Sequence, residues 1–251
     1  MIDCSCLGSL PCKQNHSEIF EICLGTPPAS AWSMSRTRRA LDLSIAALVL
    51  LVFAIPMGIT AFCVRLTSNR KALFTQQRVG RNGRLFHIYK FCSMVDARGA
   101  EAGVGLTKGG DQRVTSFGRV MRNFKLDELP QFYNVLRGDM SLVGPRPKLP
   151  QYAALSNMPY RPGITGPATI AFRCEEEILR HVAPQQINTF YAEHIKPKKA
   201  KLDVCYMCRA TFSSDLRIIA STFLSCIAPA HIQTFIYPNA TPSAHESNIQ
   251  P

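Results

Sequence analysis

Two adjacent carboxylates, Asp127 and Glu128, stand in the string Lys125-Leu126-Asp127-Glu128-Leu129-Pro130, with Arg119, Arg122 and Arg137 close by in the chain. Adjacent carboxylates repel, and a divalent cation or neighbouring positive charge can hold at least one ionised. An ionised aspartate can attack phosphorus, as in enzymes that pass through an aspartyl phosphate. A second carboxylate can take the proton of an incoming hydroxyl or phosphate acid. Mg²⁺ would neutralise a diphosphate and orient it. The pair also has a plainer reading, because acidic residues in the first turn of a helix meet its dipole favourably. Spacing alone does not choose between them.

A second feature follows at Gly144-Pro145-Arg146-Pro147. Pro145 and Pro147 restrict the backbone on both sides of one guanidinium, whose fork suits phosphate oxygens or a planar base. A stiff connector with an exposed arginine is the alternative. Cys205-Tyr206-Met207-Cys208 supplies only two thiol ligands, with no second pair at zinc-finger spacing, so two small semi-buried side chains are expected there. The ten cysteines follow no disulfide framework and read as reduced thiols.

These groups sit in a chain of 251 residues with a net charge of +12, 46% apolar and only 18% charged residues. That composition excludes full disorder and suits an anionic partner such as a lipid surface, a phosphorylated substrate or nucleic acid. Nucleic acid is the weakest of these, since no base-reading module or aromatic interleaving accompanies the charge. Only one stretch is fit for a bilayer: Leu43 to Val64 carries no charge, between Arg36, Arg38 and Arg39 on one side and Arg65, Arg70 and Lys71 on the other. Pro56 cannot donate to the carbonyl of Val52 and should bend or break a helix. Basic charge on both flanks fits a segment that dips in, turns near Pro56 and returns to the same face, whereas a spanning helix biases Lys and Arg to one side. A kinked, tilted spanning helix and a buried soluble helix remain alternatives.

The expected fold is α/β and helix-dominated: a monotopic membrane protein with a re-entrant helix and interfacial amphipathic helices. Residues 1–35 read as a flexible extension, 36–71 as the re-entrant helix with its basic flanks, 72–226 as the catalytic domain and 227–251 as a flexible tail. Leu73-Phe74-Thr75 and Leu85 to Tyr89 read as strands around an Asn82-Gly83 turn. Residues 96–112 are Gly-rich and read as a mobile loop. Thr115 can cap a helix bearing Phe117, Val120, Met121 and Phe124, and Pro130 can open one bearing Phe132, Tyr133 and Leu136. Residues 144–150 must be an extended loop. Residues 196–201 form a basic knot before a last amphipathic helix around Asp215 to Phe223.

The string from Ser116 to Arg122, continued by Leu126-Asp-Glu-Leu-Pro-Gln-Phe-Tyr-Asn-Val-Leu-Arg-Gly-Asp-Met-Ser-Leu-Val-Gly-Pro-Arg-Pro147, resembles the bacterial sugar transferase family, small monotopic phosphoglycosyl transferases acting on polyprenol phosphate. Gln77 to Gly80, Phe86 to Phe91, Tyr160-Arg-Pro-Gly-Ile-Thr-Gly166 and Ser214 to Ile219 extend the resemblance, which covers about residues 36–226. It implies that Asp127 attacks the β-phosphate of a nucleoside diphosphate sugar, usually UDP-linked, that UMP leaves, and that polyprenol phosphate then takes the phosphosugar. Asp127 would be nucleophile and Mg²⁺ contact, Glu128 the general base, and Arg146, between Pro145 and Pro147, the nucleotide or phosphate binder. Lys90, Arg122, Arg173 and Asp215 would supply further substrate contacts. The implied place is the cytoplasmic face of the bacterial inner membrane, in surface polysaccharide initiation. An interfacial homodimer is compatible with this reading.

The chain departs from the family pattern at three points. Ile55 stands where a serine often precedes the proline, Cys92 replaces the arginine of Lys-Phe-Arg-Ser/Thr-Met, and Pro167-Ala168-Thr169 replaces Trp-Ala-Gln. Intact Asp127 and Glu128 favour an active transferase. Cys92 keeps alive a weakened relative acting as a membrane-bound assembly partner.

Overall fold

The computed structural model describes residues 29–68, 71–94, 113–150, 158–180 and 182–227. The expected loop at 96–112, most of the N-terminal extension and nearly all of the tail lie outside them. Helices dominate, as expected, and the strands form two small two-stranded sheets, of which the patterning predicts one.

Helix α1 (Arg36–Val52) starts where the Ser35 hydroxyl accepts from Arg38 N at 3.1 Å. Helix α2 (Ala54–Ser68) follows after one residue, and the two axes bend by 62°. No single described helix is long and apolar enough to cross a membrane; this bent pair qualifies by length and composition. The break falls at Phe53, three residues before the expected Pro56. Proline is tolerated in a first helical turn, where its missing N–H has no partner to lose, so the chain breaks ahead of it. Leu51, Val52, Ile55, Ile59, Phe62 and Leu66 are all exposed around the bend.

Strands β1 (Leu73–Val79) and β2 (Leu85–Phe91) pair antiparallel from Leu73↔Phe91 to Val79↔Leu85. Asn82 (φ 53°) and Gly83 (φ 74°) supply the left-handed turn foreseen in Asn-Gly. Thr115 caps α3 (Ser116–Asn123), its hydroxyl accepting from Gly118 N at 2.8 Å. Pro130 precedes α4 (Gln131–Arg137), and Gly138, at φ 92°, ends it. Asn134, fully buried, donates to His87 O at 2.7 Å and accepts from Tyr89 N at 3.1 Å, which ties α4 to β2.

Two strands escaped the sequence reading. β3 (Ser141–Val143) and β4 (Gly163–Thr165) run parallel, Ser141 opposite Gly163 and Val143 opposite Thr165. A Cβ on Gly163 would lie 2.1 Å from Gly144 N, so the strands cross where only glycine fits. Beyond them come α5 (Pro167–Ala171), α6 (Glu175–Arg180), α7 (Ile187–Phe190), a π-turn (Tyr191–Ile195), α8 (Lys196–Arg209) and α9 (Phe212–Ile227). The expected basic knot at 196–201 is the first part of α8, because Pro197 is harmless in the first turn and the run continues without a breaker.

The main core gathers Ala46 of α1, Phe86 and Ile88 of β2, Val135 of α4, Leu142 and Val143 of β3 and Ile218 of α9. Residues 29–35, assigned by sequence to the flexible extension, are pinned to this body. Ser30 N donates to Met207 O at 2.9 Å, and Trp32 packs edge-on against Phe212 at 5.6 Å.

Candidate active site

The carboxylate pair does not begin an α-helix. Lys125 adopts a left-handed conformation (φ 56°, ψ 21°), uncommon for a residue with a Cβ, and turns the chain out of α3 into a short 3₁₀ turn, Leu126–Glu128. That turn carries both carboxylates and ends at Pro130, ahead of α4. The first-turn reading is therefore displaced: the local backbone is a strained corner between two helices.

Asp127 is only 2% exposed, and its Oδ2 lies 2.7 Å from Lys90 Nζ at the end of β2. Its Oδ1 is buried with no hydrogen-bond partner. A buried acceptor without a partner costs about 1–3 kcal/mol and calls for a ligand atom or a chemical role. Glu128 Oε1 accepts from Arg146 Nη2 at 2.7 Å. Burial pushes the Glu128 carboxyl up, but Arg146, Lys125 and Lys90 outweigh it and hold the group down at about 2.

Arg146 is presented as its flanking prolines suggest. Pro145 and Pro147 are buried; Pro145 O accepts from Gly163 N at 2.9 Å and Pro147 O from Arg78 Nη1 at 3.3 Å. The bridge between Val79 and Lys148 then ties the loop to the hairpin. The structure thus gathers Lys90, Asp127, Glu128, Pro145, Arg146 and Pro147 in one place. Arg173 is not shown in contact with this group; its charge, with that of Lys125, acts on the Cys226 thiol, which burial pushes up. Arg122 reaches Met94 Sδ at 3.7 Å on the flank of α3, outside the paired cluster.

Asp215 is not brought to the site. It accepts from Arg38 Nε at 2.7 Å, Trp32 Nε1 at 2.8 Å and the Tyr206 hydroxyl at 2.5 Å, forming a buried clasp between α1, α8 and α9. Its oxygens are committed to the scaffold, so substrate contact is replaced by a positioning role.

Two groups near Arg146 escaped sequence reasoning. Asp203 on α8 accepts from Ala168 N at 3.3 Å, and burial pushes its carboxyl up to about 7 against Lys148, Lys199 and Arg146. Glu175 pairs with Lys199, whose ammonium lies 5.5 Å from the rings of Phe172 and Tyr191. No spacing in the sequence marks either, because Asp203 arrives on α8 packed against α5 and Glu175 through its pairing with Lys199 of the same helix.

On the other side of the carboxylates lies a cavity of about 480 Å³, lined by Met57 and Ala61 of α2, Leu73, Phe91, Pro130 and Tyr133. It is almost wholly apolar at the polar site's edge. Among the described residues no cluster of three His, Cys, Asp or Glu could hold a metal. The partnerless Asp127 oxygen still suits Mg²⁺, which commonly takes one or two carboxylates and completes its shell with substrate phosphates and water.

The fold and the paired carboxylates place the chain in a class. It matches the family model for bacterial sugar transferases over residues 33–229, and it belongs to that family. It is 41% identical over 155 residues to an undecaprenyl-phosphate glucose phosphotransferase of Komagataeibacter xylinus, covering 57% of this chain and 29% of that protein. It is 42% identical over 144 residues to a UDP-glucose:undecaprenyl-phosphate glucose-1-phosphate transferase of Caulobacter vibrioides, covering 53% of each. It is 35% identical over 202 residues to an uncharacterized sugar transferase, EpsL, of Bacillus subtilis, covering 78% of this chain and 90% of that one. The chain therefore spans about half or less of the length of the first two relatives.

Proposed function

We propose that this chain transfers a sugar phosphate from a nucleoside diphosphate sugar, UDP-linked in the first instance, to polyprenol phosphate. The observation that carries this reading is the Asp127 carboxylate, buried, held by Lys90 at one oxygen and partnerless at the other. The names of the relatives support the same acceptor and, for the Caulobacter protein, a UDP-sugar donor.

In the first half-reaction an Asp127 oxygen attacks the β-phosphorus. The bond from that phosphorus to the bridging oxygen breaks, and UMP leaves with the electron pair. A phosphoglycosyl-aspartate remains. In the second, a phosphate oxygen of the polyprenol phosphate attacks the same phosphorus, the bond to Asp127 breaks, and the carboxylate is restored. Lys90 orients the Asp127 carboxylate through its 2.7 Å ion pair. Arg146 binds donor phosphates. Glu128 takes the acceptor's proton once those phosphates draw Arg146 away, since the paired carboxylate is too weak a base. Mg²⁺, bound by Asp127 and the diphosphate, would neutralise charge on the donor.

The acceptor's polyprenyl chain would lie in the apolar cavity between α2 and α4, with its phosphate toward Lys90. The exposed apolar residues around the 62° bend support a re-entrant anchor, and exposed Val120, Phe124, Leu216, Phe223 and Leu224 support interfacial contact of α3 and α9. The cytoplasmic face of the inner membrane, where nucleotide sugars are found, fits this arrangement, as does a role in starting a surface polysaccharide.

The test is UMP release from a panel of UDP-sugars with Mg²⁺ and polyprenol phosphate, comparing the native protein with Asp127→Asn. Release that depends on Asp127, and a phosphosugar mass on the Asp127 peptide when acceptor is withheld, support the reading. Release that Asp127→Asn leaves intact sinks it.

A further inference from the structure

Three arginines from separate parts of the chain converge beneath the base of α1, away from the carboxylate site. Arg39 comes from α1, Arg81 from the hairpin turn and Arg161 from the segment before β4, and they line one cleft with Ser33, Ser35 and Asp42. Lys90 stands six positions along the chain from Arg84, beside the turn, roughly 20 Å at 3.3 Å per residue. The cleft is thus distinct from the place where Asp127 lies.

The charges in this cleft are not balanced. Asp42, the one carboxylate in its wall among the described residues, accepts at Oδ2 from the Ser141 hydroxyl at 2.8 Å and at Oδ1 from Leu142 N at 3.1 Å. It therefore serves β3. Arg38, also in the wall, is paired with Asp215. Arg39 donates to Val135 O and Met140 O, and Arg161 Nε to Gly138 O, all neutral acceptors. Arg81 Nε is buried without a hydrogen-bond partner. Burial first, then the like charges of Arg39 and Arg81, pulls the Arg161 guanidinium below its ordinary value, and the Asp42 carboxylate offsets this only in part. The neighbouring segment 151–157 has no acidic residue to relieve them.

We infer that Arg39, Arg81 and Arg161 form a second anion site that takes one phosphate group. Guanidinium forks match phosphate oxygens, and three of them around an unpartnered buried N–H exceed what a structural role needs. An anionic phospholipid headgroup or a free phosphate has this chemistry. Position favours the lipid: Arg39 stands 14 residues before Phe53 and Arg65 12 residues after it, so both lie roughly 20 Å along their arms from the bend at 1.5 Å per residue. This choice of source rests on the re-entrant reading; the site itself does not.

Trp32, the only tryptophan, adjoins Ser33 in the cleft wall and offers a local signal. The full chain in detergent is titrated with inorganic phosphate, with phosphatidylglycerol in mixed micelles, and with phosphatidylcholine as the zwitterionic control. Trp32 fluorescence and thermal midpoint are followed. Saturable binding of phosphatidylglycerol, weakened at least tenfold by Arg81→Gln and unchanged by Arg65→Gln, supports a headgroup site. The same pattern with inorganic phosphate, and no added effect of phosphatidylglycerol, supports the site with free phosphate as its ligand. Equal weakening by both variants, or identical titrations of native protein and Arg81→Gln, overturns it. Arg81→Lys, which keeps the charge but lacks the fork, guards against misfolding: it should bind with intermediate strength.

Discussion

The chemistry at residue scale turns on the unequal environments of two neighbouring carboxylates. Asp127 has an ammonium at one oxygen and nothing at the other, while Glu128 is clamped by a guanidinium. On the proposed mechanism the partnerless oxygen is the one left for phosphorus, and the clamped carboxylate is held in reserve. Asp127→Asn removes the attacking charge without changing volume, so UMP release should fall by at least about a thousandfold while the thermal midpoint barely moves. Arg146→Lys keeps the charge but loses the planar fork. A fall in kcat/KM of about ten- to a hundredfold is expected, with KM for the donor carrying much of it. A donor KM unchanged by Arg146→Lys would remove Arg146 from the donor site. The pair and the Pro-Arg-Pro loop stand out in the sequence as contiguous strings, although spacing alone left their roles open and only the family resemblance chose among them. Asp215 was misjudged as a substrate contact because its partners, Trp32, Arg38 and Tyr206, come from distant parts of the chain and leave no local mark.

Among the elements, β2 and the β3–β4 crossing position the chemistry. Lys90 reaches Asp127 only if β2 stays against α4, and Asn134 holds that contact with two hydrogen bonds to β2 backbone. Asn134→Leu would leave a buried N–H and C=O without partners, at a cost of about 2–4 kcal/mol in thermal or denaturant unfolding. A loss below 0.5 kcal/mol would show that water replaces the amide. Gly163→Ala places a methyl 2.1 Å from Gly144 N, so the parallel pair must open and carry the Arg146 loop with it. Both stability and UMP release should drop, and a variant as active as the native chain would uncouple the loop from the crossing. The hairpin and the Thr115-capped helix could be read from turn and cap residues. The three-residue strands could not, because so short a run shows no period, and a parallel partner some twenty residues away leaves no local signature.

For the molecule as a whole, the bent helix pair and the helices folded over Asp203 each give a prediction. If the bent pair re-enters one leaflet, single cysteines at Ser35 and Lys71, in a background without native thiols, should both label from the same side of sealed vesicles. Opposite labelling would establish a spanning helix. Asp203 gives a pH prediction. Its folded pKa of about 7 lies above its ordinary 3.8, so the folded state binds the proton more tightly. Its contribution to stability is complete below about 3.8 and is lost as pH rises through 7. From pH 8 to pH 6 the native chain should gain about 1 kcal/mol that Asp203→Asn does not. Equal slopes would mean that Asp203 binds no extra proton in the folded state over this range.

The sequence by itself determined the helix-rich α/β character, the single bilayer-competent stretch with two basic shoulders, the hairpin and the motif bearing Asp127, Glu128 and Arg146. Each of these depends on nearest neighbours along the chain: periodicity, charge-free length, turn residues or a contiguous string. Tertiary structure decided the rest. It moved the bend from Pro56 to Phe53, extended the basic knot into α8, turned Asp215 into a clasp and brought Lys90 to Asp127 across almost forty residues. It also collected Arg39, Arg81 and Arg161 beneath α1. Contacts between residues far apart in sequence depend on burial and packing geometry, which leave no periodic trace in any one segment.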